Sequence, residues 1–386
     1  MANPRPGDLG APSAPPVLVP SSPLSPAFRE AVSAEITAFL ASQQPVLSAM
    51  GPQLEPVQQL ATTLLAGGKR LRPAFSVWSY VAARGFPGDD LRPLLAAAAS
   101  LEMLHVSALV HDDVMDSSDL RRGQPAAHRQ FESLHRGAGW VGDSAAFGRA
   151  GAILLGDLLL MWSVQMLQRS GLAEPALARA LPILETMRTE VTCGQYLDVV
   201  AQAHPLRRSA GGGGDVAVAL EEASRVVEFK SARYTVQRPC QMGAALGSGD
   251  DRLQSDLAAY GSPLGRAFQY RDDLLGVFGD TEVTGKPSGD DLREGKRTVL
   301  VAHAYAHADP AGQQLIAQLL GDPALDAEGV ATLQQVITES GARDSVEAMI
   351  DDCLTLAMGA LDRAEISDEG RVALTALAHA AIRRES

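Results

Sequence analysis

The sequence has little cysteine, few aromatic side chains and no excess of basic residues. Its 386 residues include 3 cysteines and 5% aromatic residues, and the formal net charge is −13. Cys193, Cys240 and Cys353 lie far apart without a C-x-x-C pair, so neither a disulfide framework nor a zinc site is indicated. The acidic balance argues against general nucleic-acid binding, which needs a basic surface. We therefore expect a cytoplasmic protein that does not bind nucleic acid.

Runs of β-branched residues are scarce, and no long uninterrupted apolar segment is present. Ala and Leu dominate a composition that is 46% hydrophobic, which favours helices over sheet. The longest apolar stretch, residues 151–167, contains Asp157 and is marginal in length for a membrane span. We predict an all-α protein in which this stretch is a buried helix and no segment is transmembrane.

Pro and Gly residues mark the expected boundaries of the tail, the helical domain and the loops between helices. Residues 1–27 are rich in Pro, Ser and Ala and lack the basic start and apolar core of a secretory signal. We predict that they form a disordered tail, followed by a helical domain over residues 28–386. The Gly-rich run 137–151 predicts a break between helices. The tetraglycine at 211–214 predicts a loop tip rather than a phosphate cradle, because no G-K-[ST] follows it.

The segment "LVHDDVMDSSDLRRG", residues 109–123, contains three aspartates in D-D-x-x-D spacing. Residues four apart lie on one face of a helix, so Asp112 and Asp116 would stack while Asp113 flanks them. Such a cluster would repel itself, whereas Mg²⁺ takes carboxylate oxygens and shares phosphate oxygens with a ligand. The spacing therefore predicts a magnesium-diphosphate bridge. A solvated acidic patch is the alternative, since adjacent aspartates recur elsewhere in the chain.

The residues around this motif indicate what kind of ligand it would bind. Going back along the helix from the aspartates, the same face carries Ala108 and Leu104 and is mostly apolar. Going forward, Arg121 and Arg122 are planar, permanently charged donors that suit phosphate oxygens. This arrangement predicts a ligand with a diphosphate head and a hydrocarbon tail.

A second acidic segment, "FQYRDDLLGVFGD" at 268–280, contains Gln269, Asp272 and Asp273. Gly276 occupies the position where a third carboxylate would complete the D-D-x-x-D pattern. The nearby "DDLRE" at 290–294 also has carboxylates four apart, but it lies between Gly-rich segments and predicts a loop or helix cap.

Two further segments place basic residues beside glycines. "GGKRLRP" at 67–73 supplies Lys69 and Arg72, and its two glycines allow the backbone to approach a ligand closely. "GKPSGDDLREGKRT" at 285–298 supplies Lys286 and Lys296, which are candidate partners of a leaving diphosphate.

Taken in order, the segments "GGKRLRP", "HDDVMDSSDLRRG", "GQYLD", "FKSARYT", "FQYRDDLLGVFGD" and "TGKP…GDDLREGKRT" resemble the trans-isoprenyl diphosphate synthases, or polyprenyl synthetases. The resemblance extends over about residues 60 to 300. It implies a single-domain isoprenoid-synthase-type helical bundle around a central cavity, usually a homodimer. It also implies a prenyltransferase that condenses isopentenyl diphosphate with dimethylallyl, geranyl or farnesyl diphosphate. Three Mg²⁺ ions are expected, and Mn²⁺ could serve on the same oxygen ligands.

The resemblance also implies roles for individual residues. It implies metal binding by Asp112, Asp113, Asp116, Asp272 and Asp273, with Gly276 leaving the third carboxylate of the second motif in doubt. It implies an isopentenyl diphosphate site formed by Lys69, Arg72, His105 and Arg122. Contacts to the allylic diphosphate are implied for Arg121, Lys230, Lys286 and Lys296, the last displaced by one residue. Gln195, Asp198, Ser231 and Gln269 match residues that line the reacting region. The chemistry would depend most directly on Asp112, Asp113, Asp116, Asp272, Lys230 and Arg121.

Product length has one physical indicator in the sequence. The residues five and four positions before Asp112 are Ser107 and Ala108, both small, where shorter-chain members of the family often have a bulky aromatic residue. A tail could then pass toward Leu104 and be stopped by Met161 and Trp162 from a neighbouring helix. We predict geranylgeranyl diphosphate (C20), as in bacterial geranylgeranyl diphosphate synthases, with farnesyl or longer products as alternatives.

Two other classes compete with this interpretation. A class I terpene cyclase also uses D-D-x-x-D, but it normally has N-D-x-x-S-x-x-x-E in its second motif and needs no second diphosphate site. A non-catalytic subunit of a heteromeric prenyl synthase would explain the departure at Gly276, although the intact first motif argues against it. Activity of the purified chain alone discriminates between a synthase and such a subunit.

Overall fold

The computed structural model describes residues 17–88, 90–204, 214–279, 288–322 and 324–383. These residues form a bundle of helices with one short antiparallel hairpin, so the all-α prediction is confirmed. In chain order the elements are α1 (Pro26–Met50), a 3₁₀ turn (Pro52–Leu54), α2 (Glu55–Leu65), α3 (Leu71–Arg84), α4 (Arg92–Met115), β1 (Leu120–Arg121), β2 (Gln124–Pro125), α5 (Ala127–Gly137), α6 (Ser144–Gln168), α7 (Glu174–Ala203), α8 (Gly214–Val226), a π-helix (Val227–Gln237), α9 (Arg238–Gly247), α10 (Asp251–Phe278), α11 (Asp290–Glu294), α12 (Val299–His307), α13 (Pro310–Leu319), α14 (Ala327–Glu339), α15 (Ala342–Arg363) and α16 (Asp368–Ile382).

Polar caps decide where several helices begin. Asp143 accepts hydrogen bonds from the backbone N–H groups of Ala145 and Ala146 at the start of α6, and Asp250 caps α10 in the same way. These side chains satisfy backbone donors that have no partner within the helix. They fix the first turns of two long helices of the bundle.

The core is built around α4, which is buried along most of its length. Ala97, Ala98 and Leu101 are fully buried, and α4 packs against α1, α3 and α6. On the other side, α10 packs against α15 and the π-helix. The last turns of α4 and α10 end at the same cavity, so the packing of the core positions both acidic motifs.

The π-helix is unusual because π-helical geometry is rare and tends to occur at functional sites. It contains Lys230, Ser231, Tyr234 and Thr235, and it packs against both α7 and α10. At Gly194 of α7 the two backbones are in direct contact, since an added Cβ would lie 2.7 Å from Lys230 Cα. This close approach places the side chains of α7 beside Lys230.

The predicted break over residues 137–151 was partly wrong. Helix α6 begins at Ser144, so Gly148 and Gly151 lie inside it. A Cβ at Gly148 would lie 3.0 Å from Glu132 Cβ, and a Cβ at Gly151 would lie 2.8 Å from Phe131 Cγ. The glycines therefore serve close packing between α5 and α6 rather than a turn.

The boundary of the predicted disordered tail also differs from the structure. Helix α1 begins at Pro26, Val17 and Leu18 pack on the core, and Trp78 Nε1 donates a hydrogen bond to Pro23 O at 3.3 Å. These contacts hold residues 17–27 against the bundle because they bury apolar side chains. Residues 1–16 lie outside the described residues, as do the first three glycines of 211–214.

Two of the described helices are long and apolar enough to cross a membrane by length and composition alone. They are α4, with 72% of its apolar window buried in the bundle, and α6, with 44%. The core helix of a soluble protein passes the same test, so this finding alone gives little support for a membrane span. The predicted buried helix over 151–167 is only half buried, because one face of α6 is exposed.

Candidate active site

A cavity of about 740 Å³ opens between α3, α4, α7, the π-helix, α10 and α11. Most of the residues singled out in the sequence meet there. The predicted site residues that line it are Lys69, Arg72, His105, Ala108, Asp112, Arg121, Arg122, Gln195, Asp198, Lys230, Ser231, Gln269, Asp272, Asp273 and Lys296.

The first acidic group, Asp112, Asp113 and Asp116, lies at the C-terminal end of α4. Asp112 Oδ1 accepts hydrogen bonds from Lys230 Nζ and Gln195 Nε2, both at 3.0 Å. The turn after α4 leads into the β1–β2 hairpin, which brings Arg121 back over the helix end. Arg121 Nε donates to Asp113 Oδ1 at 2.9 Å. The carboxylates of Asp112 and Asp113 are thus each paired with a cation.

The cations and the burial act in opposite directions on this group. Burial favours the neutral acid, but Lys230, Lys296 and Arg121 hold the pKa of Asp112 well below its ordinary value. Burial and the neighbouring charge of Asp112 raise the pKa of Asp116 to about 6, against the opposing effect of Lys296. Asp112 therefore stays ionised well into acidic pH, whereas Asp116 takes up a proton at a higher pH than an ordinary aspartate.

Lys230 connects the π-helix to two acidic side chains. Its ammonium lies 2.7 Å from Asp198 Oδ2 on α7 and 3.0 Å from Asp112 Oδ1. Burial disfavours the charged amine, yet these two carboxylates raise the pKa of Lys230 above its ordinary value. Lys230 is consequently a fixed cation beside the first acidic group.

The second acidic group, Asp272 and Asp273, lies near the end of α10. Gln269 Nε2 donates to Asp273 Oδ1 at 2.7 Å, while Asp273 Oδ2 is buried without a hydrogen-bond partner in the described part of the chain. Burial, together with the charges of Asp291 and Asp272, raises the pKa of Asp273 well above its ordinary value, although the bond from Gln269 opposes this. A buried carboxylate oxygen without a donor is one that a cation would stabilise.

Lys296 lies between Asp116 of the first acidic group and two carboxylates of α11. Its ammonium is 2.5 Å from Glu294 Oε2, 3.3 Å from Asp291 Oδ1 and 3.5 Å from Asp116 Oδ2. Burial opposes its charge, but the surrounding acids raise the pKa of Lys296 well above its ordinary value. Asp291 and Glu294 were missed as site residues, because "DDLRE" was interpreted as a loop or cap. The segment is helix α11, and its carboxylates four apart were the signal.

A basic group lies on the α3 side of the cavity. The guanidinium of Arg72 lies 4.2 Å from the ring centroid of Tyr234, and Arg72 Nη2 donates to Thr235 Oγ1 at 2.9 Å. Tyr234 Oη is also 3.0 Å from His105 Nδ1. Tyr234 was not predicted, although it lies within the quoted "FKSARYT". It orients two of the predicted site residues.

Left-handed backbone conformations shape the basic group further. Arg122 has φ 53°, and its guanidinium would lie 3.7 Å from a Cβ added at Gly68. Burial lowers the pKa of Arg122, and the nearby cations Arg121, Arg70 and Arg72 lower it further against the effect of Glu102. Crowding several cations around one opening favours the binding of an anion.

The residues proposed to set product length are only partly at the cavity. Ala108 lines it, but Leu104 is buried in the core and Ser107 Oγ donates to Gly156 O of α6 at 2.7 Å. Trp162 is also in the core, where its ring contacts Phe39, whereas Met161 is 59% exposed on the outer face of α6. Ser107, Met161 and Trp162 do not line the cavity of the single subunit, because the turn of each helix directs them elsewhere. Their role in product length stays a prediction.

Lys286 lies in the segment 280–287, outside the described residues. Within the described ranges, no three His, Cys, Asp or Glu side chains converge closely enough to hold a metal ion by themselves. A cation at this site would therefore need further oxygen ligands, such as those of a diphosphate.

Known proteins show the same sequence pattern and fold. A family model described as polyprenyl synthetase matches residues 55–338. The geranylfarnesyl diphosphate synthase of Natronomonas pharaonis is 33% identical over 77% of this chain and 81% of its own. The (2E,6E)-farnesyl diphosphate synthase of Mycobacterium tuberculosis is 31% identical over 83% of this chain and 80% of its own.

A solved structure is more similar still. It is a geranylgeranyl pyrophosphate synthase from Corynebacterium glutamicum, complexed with isoprenyl diphosphate and magnesium. It is 40% identical, covers 93% of this chain and 99% of its own, and superimposes with a TM-score of 0.86. The three named relatives differ in product length, so the similarity supports the reaction class but not one chain length.

Proposed function

The chain belongs to the polyprenyl synthetase family and is a trans-prenyltransferase, and we propose that it condenses isopentenyl diphosphate with allylic diphosphates to give mainly geranylgeranyl diphosphate. The observation that carries this proposal is one cavity in which two acidic groups face a crowded set of cations. A cavity for a neutral ligand would need neither the acidic nor the basic residues. Two diphosphates need the basic residues, and the metal ions that accompany them need the acidic residues.

The acidic groups fit magnesium. Asp112, Asp116, Asp272 and Asp273 supply the hard oxygen ligands that Mg²⁺ prefers, and the buried Oδ2 of Asp273 has no donor in the described chain. When bound, Mg²⁺ would neutralise the diphosphate as its C–O bond to the allylic group breaks. We expect three ions, with Mn²⁺ able to replace Mg²⁺ on the same oxygens.

The chain's own residues bind and orient the two substrates. Arg121, Lys230 and Lys296 would contact the allylic diphosphate as negative charge develops on it. Lys286, in the segment outside the described residues, is proposed to do the same. These cations must exchange their present carboxylate partners for phosphate oxygens when substrate binds.

The second substrate would bind at the basic group near α3. Lys69, Arg72, His105 and Arg122 would hold isopentenyl diphosphate, with Tyr234 orienting Arg72 and His105. Its double bond then attacks C1 of the allylic cation, forming the new C–C bond. Loss of one proton to the released diphosphate completes the reaction, so the protein contributes positioning and exclusion of water.

The product length is proposed from the cavity wall. Ala108 lies on the wall one turn before Asp112 and leaves open space where a bulky residue would close the cavity. Leu109, Val191 and Phe268 add apolar surface for a hydrocarbon tail. These features support a C20 product, with farnesyl or longer products as the alternatives.

The direct experiment is product analysis of the purified chain. The protein is incubated with Mg²⁺, isopentenyl diphosphate and, separately, dimethylallyl, geranyl and farnesyl diphosphates, beside an Asp112→Ala control. A C20 product that is lost in the control supports both the reaction and the open wall. A C15 or longer product supports the reaction but contradicts the C20 proposal.

A non-catalytic subunit of a heteromeric synthase is the second candidate, and Gly276 is the observation that favours it. The absence of product from every primer would support this alternative. The next step would then be to co-purify a partner chain and to repeat the assay with both chains.

We also propose that the protein is a homodimer joined through the outer face of α6. Phe147, Leu154 and Met161 form one exposed stripe at helical spacing, with Leu154 68% exposed and Met161 59% exposed, and the half-buried Leu158 lies between the last two. Contiguous exposed apolar surface of this kind typically marks an interface.

The mass in solution tests the dimer. Light scattering after size exclusion should give twice the mass of one chain for the wild type and for Leu356→Glu, a control at an exposed leucine on α15. Leu154→Glu should shift the protein to the monomer mass. A wild type that is monomeric at micromolar concentration would reject the proposed interface.

A further inference from the structure

Gly276 occupies the third position of the second acidic motif, four residues after Asp272 on the same face of α10. A side chain there would extend into the cavity, which both residues line. The space is already filled. A Cβ built on Gly276 would lie 2.5 Å from Cγ of Asp291 and 3.1 Å from its Oδ1, and it would overlap its Oδ2. The carboxylate of Asp291 therefore occupies the place that a side chain at 276 would take.

Asp291 reaches this place from a different element. It lies on α11, a single turn of helix between Gly289 and Gly295, both in left-handed conformation, with φ 74° and 76°. Those glycines allow the chain to turn sharply before and after the helix. Helix α11 packs against α10, and this contact aims the side chain at the bare backbone of Gly276.

One further observation connects Asp291 to the second acidic group, and another connects it to the first. Its negative charge acts on Asp273, which is 3% exposed and whose Oδ2 has no hydrogen-bond partner in the described chain. Asp291 Oδ1 is also 3.3 Å from Lys296 Nζ, which lies 3.5 Å from Asp116 Oδ2. The carboxylate of Asp291 thus acts on Asp273 through its charge and is linked to Asp116 through Lys296.

We propose that Asp291 is the missing third carboxylate of the second acidic group, and that it binds a divalent cation, or the water on that cation, together with diphosphate. The inference rests on the proposed function for its biological meaning, but it concerns cation binding and is tested without turnover. It explains why a glycine is compatible with activity at position 276. The small residue makes room for a carboxylate that is supplied from α11.

The test moves the carboxylate between the two positions. Four proteins are compared with the wild type: Asp291→Asn, Asp291→Ala, Gly276→Asp with Asp291→Ala, and Asp362→Asn as a control at an exposed carboxylate on α15. Isothermal titration calorimetry measures Mg²⁺ binding at one fixed concentration of inorganic diphosphate. Because diphosphate itself binds Mg²⁺, the same titration without protein is subtracted from each measurement. Circular dichroism and the unfolding midpoint without Mg²⁺ show that each variant is folded.

We expect Mg²⁺ affinity to fall about 10- to 100-fold in Asp291→Asn and Asp291→Ala, the range found when groups that support a metal site are removed. The combined variant should recover most of this loss, because the aspartate introduced on α10 would then have room for its side chain. The Asp362→Asn control should bind like the wild type.

Two results would overturn the inference. One is wild-type Mg²⁺ affinity in the isosteric Asp291→Asn variant. The other is a combined variant that binds no better than Asp291→Ala, which would mean that a carboxylate at this point is not what matters. Product formation by the wild type is measured in parallel. An inactive wild type with Asp291-dependent Mg²⁺ binding rejects the proposed function only, whereas an active wild type with unchanged Asp291→Asn binding rejects this inference only.

Discussion

The two acidic groups of the cavity are built in different ways. The first is complete on a single helix end, where Asp112, Asp113 and Asp116 follow one another and are neutralised by Lys230, Lys296 and Arg121. The second has two aspartates on α10, one of which is buried without a full set of donors, and its third position is a glycine beside Asp291 of α11. The first acidic group is therefore visible as a sequence motif. The second combines residues of α10 and α11, and this combination is visible only in the folded structure.

Asp112→Asn should have the largest effect on activity. It removes a charge that faces three cations, and we expect kcat to fall on the order of 10³-fold. The kcat of Asp272→Asn, in the second group, should fall by a comparable factor if both groups hold cations during the reaction. The measurement is the steady-state rate with geranyl diphosphate, with Asp351→Asn on the exposed face of α15 as control. Near-normal activity of Asp112→Asn would contradict the bridging role of the first group.

Lys296→Met should have the next largest effect, because Lys296 pairs with Asp116 of the first group and with Asp291 beside the second. Without it, Asp116, Asp291 and Glu294 lose a shared cation, and leaving buried charges unpaired is costly. We expect a lower unfolding midpoint and a rise of about 10-fold or more in KM for the allylic diphosphate. Arg252→Met, which removes a surface cation, is the control. An unchanged midpoint and KM would show that the bridge is not important in solution.

Asp273→Asn should stabilise the protein without Mg²⁺ and so distinguish the second group from the first. The pKa of Asp273 is raised in the folded state, so its ionisation destabilises the fold as the pH rises above the ordinary value of 3.8. The variant removes this penalty, on the order of 1–3 kcal/mol for a buried group without a partner.

The unfolding midpoint as a function of pH checks this sign. The difference between Asp273→Asn and the wild type should be small at pH 3.8 and below, and should grow as the pH rises toward the raised pKa. Asp112→Asn should behave in the opposite way, because the pKa of Asp112 is lowered and its charge stabilises the fold at neutral pH. A destabilised Asp273→Asn at neutral pH would contradict the prediction.

Ala108→Phe should have the smallest effect on rate but should change the product. The ring would enter the cavity one turn before Asp112, about 5.4 Å along the helix, and shorten the space for the tail. We expect the main product to shift from C20 to C15 or shorter. Ser107→Ala, which faces α6, should leave the product distribution unchanged. An unchanged distribution in Ala108→Phe would remove the support for the open wall.

Much of the site follows from local patterns in the sequence. Helical spacing predicted that Asp112 and Asp116 share a face, and the basic residues near 69, 121 and 296 were identified as phosphate partners. The C-terminal end of α4 is also marked locally, by the polar residues that follow its apolar segment. The same reasoning could not assign Ser107, Trp162 and Met161, because the side of a helix that faces the cavity depends on its neighbours.

The sequence by itself determined that the protein is helical, that it contains an intact D-D-x-x-D motif beside cations, and that it belongs to one family, because these properties depend on spacing within single segments. Tertiary structure alone decided that Lys230 meets Asp112 through the contact of the π-helix with Gly194, and that Asp291 fills the space above Gly276. Both contacts join separate helices, and their geometry is set by how closely two backbones approach. The sequence shows only that position 276 has no side chain, whereas the packed structure shows which side chain fills that space.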